Sequence, residues 1–298
     1  MKRGLFAAAG LAVVVAAGVV STPALADSSS DALEVIEAVA PEVLSGVTEE
    51  GFVEVPADAA DGLAFSTDGG DIVIGLPRAD AAAPAERLDS DVVAFDNGDS
   101  STTVPLVRGE DAVQILTVIE NASAPTEYVY DFTLPDGASI VAAEDGYYGI
   151  VDADGTPLAM IAPPWAKDAN GADLNTRFEI RGSTIIQVVD HGPGTAYPVV
   201  ADPIVKGTLI KSIGLVGDPR GTIVSVMPKT TYPGLGRSFD DYYVEYKLWV
   251  NATYTGQKYR DQLVCHVANA PTKTPWNLDS WRPNVGYNLT VLALCNPN

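Results

Sequence analysis

Arg177-Phe178-Glu179-Ile180-Arg181-Gly182-Ser183-Thr184-Ile185-Ile186-Gln187-Val188-Val189 reads as one β-hairpin: two arms rich in apolar and β-branched residues around an Arg-Gly-Ser turn. A second hairpin is expected over residues 147–161, turning at Asp154-Gly155. Short apolar runs at 71–76, 113–119, 128–134 and 184–189 repeat the texture between turn dipeptides such as Asn97-Gly98, Asp136-Gly137 and Asp145-Gly146. No long helical period interrupts residues 63–205, which excludes a parallel α/β sheet. The reading is mainly β: an antiparallel, sandwich-like acidic region over residues 62–205.

Composition changes near residue 205. Residues 27–205 hold 6 basic and 33 acidic residues, net −27, whereas residues 206–298 hold 10 basic and 6 acidic, net +4. The second segment also carries both cysteines, three of the four tryptophans and seven of the twelve tyrosines. Such a shift marks a domain boundary. Residues 207–216 and 221–226 flank Asp218-Pro219-Arg220 as strand, turn and strand. Ser238-Phe239-Asp240-Asp241 resembles a capping box, and Tyr242, Tyr243, Tyr246, Trp249 and Val250 then share one helix face. A second short helix is expected over 260–267. Residues 206–298 therefore read as a small α+β domain linked by a disulfide. Ahead of the β region, residues 27–61 read as a short helix, with Asp31 as N-cap and Leu33, Ile36, Val39, Ala40, Val43 and Leu44 at helical spacing, followed by a linker.

Lys2 and Arg3, the apolar run over 5–20 and Ala24-Leu25-Ala26 have the order of a secretory leader, so residues 1–26 are expected to be removed and the protein secreted, free or held at the cell wall. No later segment is apolar enough to span a bilayer. With 39 acidic against 18 basic residues, net −21, the chain is a poor partner for nucleic acid, which needs clustered Lys and Arg. In an oxidising compartment Cys265 and Cys295 read as a disulfide closing a loop of about 30 residues.

Few residues invite a catalytic reading. His266 lies among Arg260, Asp261, Gln262 and Lys273, and an imidazole beside a carboxylate and two cations could act as a general acid or base in hydrolysis. The competing reading is a structural histidine beside the disulfide. Asp190-His191 precedes Gly192-Pro193-Gly194 without any G-x-S-x-G elbow, so it reads as a turn. Asp168-Ala169-Asn170-Gly171-Ala172-Asp173 misplaces the glycine and one ligand of a calcium loop, so no metal or other cofactor is expected. Trp276, Trp281, Arg282 and Tyr287 are candidate ligand-binding residues, with core packing as the alternative for the rings.

Arg260-Asp261-Gln262-Leu263-Val264-Cys265-His266, Trp276-Asn277-Leu278-Asp279-Ser280-Trp281-Arg282-Pro283 and Cys295-Asn296-Pro297 together resemble a family of secreted actinobacterial proteins known as domain of unknown function 2599, over roughly residues 206–298. The resemblance implies export, a disulfide and a two-part layout, and brings no activity with it. The expectation is a secreted or cell-envelope interaction module with an unidentified protein or wall partner; the alternative is an exported effector with a toxin-like hydrolase using His266.

Overall fold

The structure is a computed structural model that describes residues 31–48, 52–90, 92–234 and 237–298. The expected leader, residues 1–26, lies outside the described residues. Every strand pairing in the three sheets is antiparallel.

A six-stranded and a ten-stranded sheet form a sandwich. Glu127–Thr133, in the smaller sheet, alternates exposed and buried along its length, so Tyr128, Tyr130 and Phe132 enter the core while their neighbours face water. Ala112–Ile119, in the larger sheet, is buried at every position. Its Val113, Ile115 and Ile119 meet the smaller sheet, and its Leu116 and Val118 face the other way. Helix α1 (Ala32–Val39) covers that second face with Ala32, Ile36 and Val39. The segment ahead of the β region is thus a third layer of the sandwich. Asp31 makes no side-chain cap to this helix. The hairpin at the centre of the sequence reading forms from Thr176–Arg181 and Thr184–Val189, and the 147–161 hairpin from Tyr148–Val151 and Pro157–Ile161.

The strand Ile204–Gly207 runs through residue 205 and pairs inside the larger sheet with Pro157–Ile161 and Ala112–Ile119. At Ile210 the chain enters a separate three-stranded sheet made of Ile210–Asp218, Gly221–Pro228 and Trp276–Asp279. Helices α2 (Phe239–Trp249) and α3 (Gln257–Asn269) pack on that sheet, and a short α4 (Tyr287–Leu292) follows. Their shared core holds Tyr242, Tyr246, Tyr259, Leu263, Trp276 and Leu278. At the start of α2, Ser238 bonds the Asp241 carboxylate rather than capping a backbone N–H.

Basic groups of the C-terminal lobe meet acids of the sandwich. Lys247 contacts Glu144 at 2.7 Å and Asp145 at 3.3 Å; Lys229 pairs with Asp68 at 2.7 Å and Arg237 with Asp111 at 2.8 Å. Leu248 packs so closely on Gly149 that a Cβ there would have to displace its terminal methyl, so α2 lies directly against this strand. The charge asymmetry of the sequence is expressed as an interface. Among the described residues no helix is long and apolar enough to cross a membrane.

Candidate functional site

Helix α3 carries most of the residues that drew attention in the sequence. Tyr259, Leu263 and Val267 recur every four residues and point into the core of the lobe. Another face presents Gln262 and His266 to the strand Trp276–Asp279. The Gln262 side-chain amide accepts from the Asp279 N–H at 2.8 Å and donates to the Asp279 carbonyl at 3.4 Å, imitating one more rung of sheet. The Asp279 carboxylate in turn accepts from Arg282 Nε at 2.9 Å. Arg282 turns its Nη1 to the end of the chain: Asn296 O at 3.3 Å, Pro297 O at 3.2 Å and Asn298 Oδ1 at 2.7 Å. The Cys265–Cys295 disulfide, with Cα atoms 5.5 Å apart, fixes the same tail to α3. Gln262, Cys265, Asp279, Arg282 and Cys295 therefore form one clasp joining α3, the third strand and the C-terminal tail.

His266 sits inside this clasp, 5 % exposed. Among the described residues neither ring nitrogen has a hydrogen-bond partner. Desolvation, the largest influence, holds its pKa below the usual histidine value. The Asn277 backbone and Asp279 act in the opposite direction, while Lys273 adds to the lowering. Burial thus favours the neutral form of the imidazole.

The other candidates do not converge on it. Asp261 is buried, with Oδ1 accepting from Gln257 at 2.6 Å and from Arg260 at 3.4 Å. Arg260 turns outward to pair with Asp240 at 2.7 Å. Lys273 is exposed in the turn after α3. Trp276 is fully buried, its indole N–H donating to Pro271 O at 3.2 Å and its ring edge-on to Tyr242, so no ring face is left for a ligand. Trp281 is half-buried with the Arg220 guanidinium 4.2 Å above its ring. Tyr287 is half-buried at the start of α4.

The remaining sequence candidates are tied up locally. His191 uses both nitrogens, Nδ1 with Tyr197 Oη at 2.8 Å and Nε2 with Pro125 O at 2.9 Å. A carbonyl only accepts, so Nε2 carries a proton toward Pro125. Asp168 Oδ1 accepts from the Asn170 and Ala172 backbones and so closes its own turn. Two buried acids escaped the sequence reading. Glu245 of α2 accepts from Leu209 N at 2.5 Å, Ile210 N at 3.0 Å and Trp249 Nε1 at 3.3 Å, exactly where the chain passes from sandwich to lobe. Burial raises its pKa to about 7. Asp202, inside the sandwich, accepts from Gln114 at 2.6 Å and Trp165 N at 3.2 Å, and burial again raises it to about 7. A charged residue set within the Tyr242–Tyr246–Trp249 stripe was the available signal for Glu245.

No curated protein and no solved structure matches the chain. The family match starts at Arg237, on the edge of α2, rather than near residue 206, and so leaves out the hairpin Ile210–Pro228. Residues 237–298, which contain the whole clasp, match the family described as protein of unknown function DUF2599.

Proposed function

We propose that the protein is an exported, non-catalytic interaction module: an acidic sandwich scaffold carrying a lobe closed by the Cys265–Cys295 clasp. The observation that carries this reading is the dispersal of the catalytic candidates. His266 is sealed under the clasp, Arg260 is spent on Asp240, Asp261 is buried beside Gln257, and Lys273 faces water. A general acid or base must reach its substrate, and a group with almost no exposed surface has no path to one. Export is supported by the leader pattern of residues 1–26 and by a disulfide of a kind that persists outside the cytoplasm.

One observation favours a second reading, the toxin-like hydrolase: the buried His266 ring nitrogens make no well-formed hydrogen bond among the described residues, although the Asn277 backbone lies close to the ring. Export of the full chain and of a His266→Gln variant to a bacterial periplasm separates the two. The interaction reading expects both strains to grow like the empty vector. Growth inhibition by the wild type that the variant abolishes would transfer the function to His266.

A further inference from the structure

The three-stranded sheet of the C-terminal lobe has two edges, and the chain treats them differently. On the strand Trp276–Asp279, α3 closes the edge: the Gln262 side chain bonds both the N–H and the carbonyl of Asp279, at 2.8 and 3.4 Å. The opposite edge strand, Ile210–Asp218, pairs with Gly221–Pro228, and among the described residues no strand pairs with its other side. From Lys211 to Gly217 it is exposed except at half-buried Ile213. Leu215 is 55 % and Val216 51 % exposed, on opposite faces of the strand, and a Cβ at Gly214 or Gly217 would meet no atom within 4 Å. Edge strands are ordinarily protected by proline, a bulge or a charge. Residues 212–217 have none of these, since the bulge of this pair lies at its start, between Ile210 and Ser212. We infer that this edge pairs with the same edge of a second copy of the chain, antiparallel about a two-fold axis at Leu215. The inference rests on the interaction-module reading and gives that module a partner.

Backbone direction is the first support. Asp218 and Gly221 are paired across the two-residue turn Pro219-Arg220, so they exchange the ladder bonds that close the hairpin. Bonded residues alternate along a strand, so Asp218, Val216, Gly214 and Ser212 turn their backbone groups to Gly221–Pro228. Ile213, Leu215 and Gly217 turn theirs to the open edge. In a two-fold antiparallel pair one residue faces its own copy. With Leu215 on the axis the outward groups meet: Leu215 faces the partner's Leu215 and Ile213 faces the partner's Gly217, which gives about six backbone hydrogen bonds.

Side chains fit the same register. The two leucines meet on the face that carries the core of the lobe, where Leu215 is paired with buried Val224. On the other face Gly214 lies opposite the partner's Val216, and Ser212 opposite the partner's Asp218. Each glycine within the strand thus faces a branched apolar residue, and a hydroxyl donor faces a carboxylate. Centring the pair on Gly214 would set glycine against glycine and Ser212 against Val216. Charge permits the contact. Residues 211–226 carry only Lys211, Asp218 and Arg220, whereas 33 acidic residues lie in 27–205, so repulsion between copies is weak at this strand.

The test is sedimentation velocity of the purified full chain from about 1 to 500 μM. A monomer–dimer equilibrium with a Kd of about 10–100 μM is expected, as suits an interface below ~1,200 Å². Leu215→Pro removes an outward N–H on an edge strand, where proline leaves the ladder to the neighbouring strand intact, and should weaken the dimer by about tenfold or more. Leu215→Lys and Leu215→Glu should each be monomeric, because like charges meet on the axis, and an equimolar mixture of the two should dimerise again. Leu292→Lys, at an exposed apolar position outside the strand, should change nothing. The proposal is overturned if the wild type stays monomeric throughout, if its dimer survives all three Leu215 variants, or if the Lys and Glu variants fail to combine. Binding of an extended apolar peptide by a chain that is itself monomeric would also overturn it. Each of these outcomes leaves the non-catalytic reading intact, since that reading stands or falls on the growth assay with His266→Gln.

Discussion

The core between the two large sheets is filled mostly by Val, Ile and Leu from strands such as Ala112–Ile119, buried along its whole length, whereas the smaller core of the C-terminal lobe is built around the rings of Tyr242, Tyr246, Tyr259 and Trp276. The sandwich spreads its stability over two sheets and a covering helix. The lobe has one small core, and it adds a disulfide and the Arg282 clasp to hold a tail with few apolar contacts. Small cores need such staples because too little surface is buried to offset chain entropy. Concentrated stabilisation should also fail in a concentrated way, and that difference can be measured.

The largest effect is expected from Trp276→Ala. Removing a fully buried indole costs about 3–5 kcal/mol, enough to unfold the lobe while the sandwich retains its slow amide exchange. Loss of protection in both regions together would show that they fold as one unit. Cys295→Ser comes next. Losing a native disulfide from a small domain costs about 2–5 kcal/mol, and the lost protection should be confined to α3, α4 and the strand Trp276–Asp279.

The third prediction concerns pH and touches each region once, through Asp202 in the sandwich and Glu245 in the lobe. Burial raises both pKa values to about 7 in the folded state. A raised folded pKa means that the native state binds more protons, so the contribution is fully present below the unfolded values near 4 and is lost as pH rises through 7. Unfolding free energy should fall between about pH 4 and pH 7, by roughly 2–4 kcal/mol for each group. Repulsion among the acidic residues acts in the same direction, so Asp202→Asn is the deciding arm: it should flatten the decline in the sandwich and leave that of the lobe. A stability that climbs steadily from pH 5 to pH 8 would contradict the assignment.

The smallest effect is expected at the interface. Glu144 and Asp145 are largely exposed, so Lys247→Ala leaves no buried charge unpaired and should cost about 0–1 kcal/mol. Its signature is faster proteolysis between residues 207 and 210, not a lower melting temperature.

Local chemistry was what the amino-acid order revealed best. The hairpins at 147–161 and 176–189 follow from turn glycines flanked by β-prone arms, and α2 from ring spacing, because those signals lie within a dozen residues of one another. Contacts made across the chain were hidden. That α1 covers a sheet, that Arg282 gathers the tail, and that Lys229 and Lys247 find Asp68 and Glu144 depend on tertiary approach, which no spacing encodes. The same limit applies to His266: its neighbours in sequence are the wrong ones, since adjacent positions on a helix point apart, and its true surroundings are the strand Trp276–Asp279 and the disulfide.

The chain has two histidines, His191 and His266, which makes diethyl pyrocarbonate modification read by peptide mass spectrometry a direct test of the clasp. The oxidised native protein should leave His266 unmodified, and the residue should react only once the disulfide is reduced and the lobe unfolds. Prompt modification of His266 in the native, oxidised protein would mean an accessible imidazole and would contradict a structural role for residues 260–298.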